Sequence, residues 1–225
     1  MNKVCIAIFF LSVLGFSTAF AGGEIHGTLR LGLTNGSESK WMSDLKSIKQ
    51  KDQKGQGTYK LQDPIIGKGN ITLRIADLRD SEGYIMEITP ENIPDHTSLS
   101  WAFGGCEGIS APFAINNVIK PIDCKDVVYS VEGNAFTAYY GTSLHLKVVM
   151  GVMPQGSEVR LSNGDAQQTP LSLFNSGKKT FAPVLSAMRE LHNGEKLYIC
   201  MYVQNAKADY NYYLLPELFA KTFKP

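Results

Sequence analysis

The run EIHGTLRLGLT (24–34) places Ile25, Leu29, Leu31 and Leu33 on one side of an extended chain and Thr28, Arg30 and Thr34 on the other. Alternation with a period of two is what a strand with one buried face requires. Asn35-Gly36 closes the run with residues suited to a tight turn. The pattern recurs in TYKLQ, GNITLRIADL, EGYIMEITP, SLSWAFGG, KDVVYSVEG, AFTAYYG, TSLHLKVVMGVM, SEVRLSNG and KLYICMYVQ, with Gly, Pro, Asn and Asp clusters between the runs. Short strands punctuated every ~8–12 residues predict a mainly β fold, an antiparallel β-sandwich or barrel-like domain with one or two packed helices.

The helices are expected where the period changes. SKWMSDLKSIKQ (39–50) has Trp41, Leu45 and Ile48 at helical spacing, with lysines on the other side. TFAPVLSAMRELHNG (180–194) carries a cap at Thr180, a proline in the first turn at Pro183, a stripe of Val184, Met188 and Leu191, and a terminator at Gly194. The tail YYLLPELFAKTF holds a short helix from Pro216. No internal repeat or low-complexity linker divides the chain. A single β-rich domain over 22–225 is therefore expected, with a split into two lobes near Pro121 as the alternative.

The first residues, MNKVCIAIFFLSVLGFSTAFAGG, follow the grammar of an export leader: Lys3, an apolar stretch from Val4 to Gly15, and Ala19-Phe20-Ala21 as a small-x-small cleavage site. The apolar stretch is shorter than the ~20 residues that span a bilayer as a helix. Residues 1–21 are thus expected to be a signal peptide of bacterial type, and the mature protein secreted or periplasmic. That address bears on the cysteines, because disulfides form and persist outside the cytosol. Cys106 and Cys124 flank a Gly- and Pro-rich stretch and are expected to bridge, closing a loop worth roughly 3 kcal/mol. Cys200, within KLYICMYV, is expected to be a free thiol in a buried strand.

Lysine and arginine number 22 against 21 aspartate and glutamate, a net charge of +1, so no global signature of a nucleic-acid partner exists. No phosphate-binding loop, H-E-x-x-H or dinucleotide fingerprint appears, and the four histidines share no ligand spacing with each other or with cysteine. No metal or cofactor is expected. His96, beside Asp95 and near Ser98, is the candidate for a hydrolytic role, although no G-x-S-x-G elbow accompanies it. DLRDSEG (77–83) gathers Asp77, Asp80 and Glu82, which reads as a β-turn rather than a calcium loop because the EF-hand spacing is absent. The segment 40–54 holds five lysines against two aspartates around Trp41, a basic amphipathic pattern able to touch an anionic membrane surface.

Tyr210, Tyr212 and Tyr213, together with Trp41, are the candidate binding residues, since rigid amphipathic rings serve protein interfaces and sugar stacking alike. The expected function is that of an exported binding or interaction protein, more binder than enzyme, recognising a protein or glycan through loops and surface tyrosines. A secreted hydrolase with no motif in its active site and a carbohydrate-binding module are the alternatives.

Overall fold

The computed structural model describes residues 25–109, 113–208 and 210–224; the expected leader, 1–21, lies outside them. The strands are β1 (His26–Thr34), β2 (Ser39–Trp41), β3 (Ser47–Gln53), β4 (Gln56–Gln62), β5 (Asn70–Asp77), β6 (Gly83–Glu91), β7 (Ser98–Ile109), β8 (Val128–Glu132), β9 (Ala135–Thr142), β10 (His145–Val152), β11 (Glu158–Asn163), β12 (Pro183–Glu190) and β13 (Leu197–Val203). Two short helices, α1 (Pro170–Phe174) and α2 (Leu215–Thr222), complete the described elements with a few 3-10 turns. The strands form two antiparallel sheets, a smaller one of order β11-β12-β7-β1-β2 and a larger one of order β3-β4-β5-β6-β13-β10-β9-β8. The mainly β sandwich read from the alternating runs is the fold.

The chain passes repeatedly between the sheets. β3–β6 and β8–β10 are two meanders, and β13 enters between β6 and β10 to join them into one sheet. The core lies between the layers. From the smaller sheet it takes Leu29, Leu31 and Leu33 of β1 with Trp101 and Phe103 of β7; from the larger it takes Leu61, Ile71, Leu73, Met86 and Ile199. Trp101 stacks on Phe136 with ring centroids 5.9 Å apart, so aromatic contact couples the two layers across the sandwich. The turn after β1 forms as its residues dictate: Asn35 Oδ1 accepts from the backbone N–H of Ser37 and Glu38, at 3.2 and 2.9 Å, and Gly36 takes the positive φ.

Both outer faces are partly covered. On the smaller sheet, Trp41, Ala102, Ile119, Cys124, Leu173 and Val184 form a second apolar cluster beneath α1 and the 3-10 turn Pro121–Cys124. On the larger sheet, Ile85, Tyr198, Cys200 and Tyr202 meet Leu215 and Phe219 of α2.

The tail helix occurs where expected; the other two expected helices do not. Residues 39–50 form β2, a 3-10 turn at Met42–Asp44 and the start of β3, the place where the chain leaves one sheet for the other. Trp41, Leu45 and Ile48 have helical spacing because each serves a different surface: Trp41 the outer face of the smaller sheet, Leu45 the crossing, and Ile48 the inner side of the larger. Trp41 is 1% exposed, so it is a packing residue and not a ring offered to a membrane or partner. Residues 183–190 form β12, which lies between β11 and β7. With Val184 packed outward and Leu185 and Ala187 packed inward, both faces of this strand are buried and the period-two signature is lost.

Candidate functional site

Three glycines in five residues, GGCEG (104–108), break the pairing of β1 with β7. Thr28 pairs with Gly104, yet His26 pairs with Ile109, so Gly27 alone stands opposite residues 105–108. Such a bulge re-aims the chain at the rim of a sheet. Gly27 (φ +94°) has no room for a side chain, since a Cβ there would lie 2.5 Å from the Phe103 ring. The bulge turns Cys106 O toward the imidazole of His26, 3.3 Å from Nδ1. It also carries Glu107 across to the larger sheet, where its carboxylate accepts from the N–H of Gly141 at 2.9 Å. The end of the sandwich is thereby held open and its two layers are pinned together.

A cleft of about 680 Å³ occupies this mouth. His26 contributes from β1, Tyr140 from β9, Leu146 and Lys147 from β10, Gln204 from the end of β13 and Glu82 from the turn before β6. The His26 and Tyr140 rings lie 5.2 Å apart, tilted by 32°. Burial, and then the neighbouring Cys106, Glu107 and Glu82, raise the Tyr140 phenol well above its ordinary value, so it stays a neutral hydroxyl. The cleft thus offers a carboxylate, an ammonium, a phenol, an imidazole and an amide beside the apolar Val148 and Val203. This set suits hydrogen bonding to a polar ligand. Among the described residues that line the cleft, none is a serine or a cysteine that could act as a nucleophile.

The other sequence-predicted residues are dispersed. Tyr210 packs edge-on against Tyr202 with centroids 4.8 Å apart, and Tyr212 joins the same cluster under α2. Only Tyr213 stands clear, at 79% exposure, its hydroxyl 3.4 Å from Gln155 Nε2. Trp41 lies on the other sheet, so the four do not form one surface. His96 is exposed, with a positive φ, and meets the exposed Glu190 at 3.6 Å, an acid rather than a nucleophile. Asp77, Asp80 and Glu82 flank the β5–β6 hairpin turn, where Leu78 N–H donates to Gly83 O. Among the described residues no group of three His, Cys, Asp or Glu is placed to hold a metal ion, and no helix is long and apolar enough to cross a membrane.

The expected Cys106–Cys124 bridge is absent: both are buried free thiols, as is Cys200. Cys106 packs into the intersheet core with Trp101 and Phe103, whereas Cys124, in the 3-10 turn Pro121–Cys124, packs with Ala102 and Val184 beneath the outer cover, its Sγ 3.4 Å from the Lys120 carbonyl. The two thiols are neighbours, since Cys124 helps to raise the Cys106 pKa, but each is held in its own apolar cluster and no bond joins them. Burial pushes the Cys106 and Cys200 thiols up, and the Cys124 thiol up to about 11, the opposite of what a nucleophilic cysteine needs.

The sequence drew attention to 104–126 for its cysteines, while the glycines and His26 carry the geometry. A glycine run inside a strand pattern was the legible signal for a bulge. Fold and cleft together define an antiparallel β-sandwich with a polar mouth held open by a bulge. The chain belongs to the family described as "Domain of unknown function (DUF4450)", which matches residues 23–222. No curated protein compared with the chain matches it.

Proposed function

We propose that the protein is an exported binding domain that takes a hydroxyl-rich ligand of the carbohydrate class in the mouth cleft. The observation that carries this reading is the convergence of His26, Glu82, Tyr140, Lys147 and Gln204 from both sheets on one open cleft of about 680 Å³. A few placed polar groups beside apolar walls are the usual make-up of a ligand pocket. Glu82 accepts from ligand hydroxyls, and Lys147 and the Tyr140 hydroxyl donate. The high pKa of Tyr140 keeps that donor intact over the whole working pH range.

The test is a neutral-glycan array followed by calorimetry on the full chain. Wild type is expected to bind at least one oligosaccharide without cleaving it. Glu82→Gln and Lys147→Ala should each weaken binding roughly tenfold, the equivalent of about 1.4 kcal/mol. Binding to no glycan, or affinity unchanged in both variants, overturns the assignment; release of shortened products restores the hydrolase alternative. Export is tested separately by expression in a Gram-negative host, where the mature chain should start at Gly22 in the periplasm or medium. Retention of residues 1–21 in the cytosolic fraction would overturn it.

A further inference from the structure

The outer face of the larger sheet carries a feature that the cleft does not use. On β3 and β4, Lys49 stands directly opposite Lys60, and Lys60 in turn faces Thr72 of β5. The next row runs Lys51, Thr58, Arg74. All six project outward, because Ile48, Tyr59, Leu61 and Leu73 of the alternate positions face the core. Like charges directly opposite on one sheet face destabilise the pair. No acid relieves them: among the described residues none of Lys49, Lys51 and Lys60 has an ion pair. The acid of β3, Asp52, bonds to Gln50, which also reaches the Tyr59 hydroxyl, so it lies on the opposite side of the strand.

Lysines on an edge strand guard it against pairing with another chain. That accounts for β3, which is an edge, but not for Lys60 on the second strand or Arg74 on the third. Arg74 is paired with Glu87, yet Glu87 is shared with Lys196 at 3.6 Å and with the Tyr198 hydroxyl at 2.9 Å. The local balance therefore stays positive on a chain whose net charge is only +1. Beside these rows runs a groove of about 240 Å³, floored by Lys51, Thr58 and Arg74 and walled by Phe223 and Lys224. The wall is fixed: the Gln56 side-chain amide bonds both backbone groups of Lys224, with Lys224 N–H donating to Gln56 Oε1 at 3.0 Å.

We propose that this face binds an extended acidic polysaccharide, its carboxylates held by Lys49, Lys51, Lys60 and Lys224 and its hydroxyls by Thr58 and Thr72. The cations stand on a grid of ~5 Å across strands and ~7 Å along them, suited to a chain with regularly repeated charge. Among the described residues none of the large exposed apolar side chains lies on β3, β4 or β5; those of this sheet, such as Val128 and Leu146, stand on β8 and β10 at its other end, so the basic rows offer nothing for insertion into a bilayer. The one ring at the groove, Phe223, is already stacked on Phe219 at 5.2 Å, so the stacking platforms of single-strand nucleic-acid binders are missing. Charge complementarity with hydroxyl-bonding side chains between the cations selects the polysaccharide.

Calorimetry of the full chain against polygalacturonate, with dextran as the neutral control, tests the proposal. Polygalacturonate should bind, weakening as salt rises, and dextran should not bind at this face. Lys49→Gln/Lys60→Gln should weaken binding at least about tenfold, whereas Lys178→Gln/Lys179→Gln, the same charge loss on a distant exposed loop, should leave it unchanged. If the first variant is misfolded by circular dichroism, Lys51→Gln/Lys224→Gln serves in its place with the same expectation. Glu82→Gln, in the mouth cleft, should not alter polygalacturonate affinity, which separates this face from the proposed glycan cleft. Equal loss in both lysine pairs, absence of binding, or tighter binding to phosphatidylglycerol vesicles or single-stranded DNA at equal salt overturns the proposal.

Discussion

Each sheet turns cations outward from its strands, and the two sets meet opposite surroundings. On the smaller sheet, Arg30 of β1 is only 8% exposed: it stacks on Trp41 at 4.0 Å and donates from its Nη1 to the backbone and side-chain oxygens of Gln167, both at 3.3 Å. Trp41 Nε1–H donates to the same Gln167 carbonyl at 2.8 Å, so indole, guanidinium and loop form one unit. Burial pulls the Arg30 pKa down to about 10, opposed by Asp44, which leaves it a cation at neutral pH. On the larger sheet, Lys49, Lys51 and Lys60 remain in water. Arg30 and Lys60 each stand on the second strand from an edge; the covering segments differ. On the smaller sheet β2 brings the Trp41 ring and the loop before α1 brings Gln167, whereas on the larger sheet α2 packs on β5, β6 and β13.

The largest test of this contrast is all-or-none. Cys124 lies beneath the cover of the smaller sheet and Cys200 beneath that of the larger, both fully buried. Neither should react with Ellman's reagent in the native state, and both should react on unfolding without reductant. A Cys106–Cys124 link found by non-reducing mass spectrometry would show that the two thiols are not held apart in separate apolar clusters. Next in size is Trp41→Ala. It removes a buried indole, a cation–π contact and a hydrogen bond, and should cost about 3–5 kcal/mol in denaturant unfolding. A cost under about 1 kcal/mol would mean the cover is not a structural unit.

Asp63 sharpens the comparison from the junction of the two regions. Its carboxylate accepts from Lys40 of β2, from the N–H of Lys46 ahead of β3, and from the N–H of Ile65, at 2.9, 2.9 and 3.0 Å. Burial alone would raise its pKa, but these donors outweigh burial and hold it below the ordinary carboxylate value. The unfolded chain therefore binds the proton more tightly. The stabilisation is complete above about pH 4 and is lost as pH falls through the lower folded value. Asp63→Asn should cost about 1–3 kcal/mol at pH 7, with the gap to wild type closing at strongly acidic pH. A gap independent of pH would show that the charge is not what Lys40 and the two amides recognise.

The sequence disclosed β4 and β5, which bury one face, and β1, whose second face is covered as well but carries the polar Thr28, Arg30 and Thr34, because in each the apolar and polar residues alternate as the pleat does. It disclosed α2 through Pro216 and the apolar positions that follow. It hid β12, whose two faces are both covered, and the crossing at 39–50, whose apolar residues serve three surfaces. It also hid the cleft. Tyr140 and Lys147 are cross-strand partners in the β9–β10 hairpin, but His26 and Glu82 lie far from them in the chain, and the register of β1 with β7 and the insertion of β13 bring those two to the hairpin. The lysines of 40–54 were legible as a basic cluster; their alignment with Lys60 and Arg74 depends on pairing that no local pattern encodes.

The smallest expected effect separates packing from function most cleanly. If Lys49 and Lys60 oppose each other as the register places them, Lys60→Glu replaces a repulsive cross-strand pair with an attractive one. The variant should be more stable than wild type by about 0.2–1 kcal/mol, with the larger gain at low ionic strength, because exposed charges are screened by salt. The same change should abolish polygalacturonate binding. A surface substitution that raises stability while removing affinity identifies a position whose residue is set by a ligand rather than by the fold. If Lys60→Glu is neutral or destabilising at every salt concentration, the two side chains do not feel each other across the strands. Lys49 and Lys60 would then carry no cost that a ligand must explain, whatever the polysaccharide does.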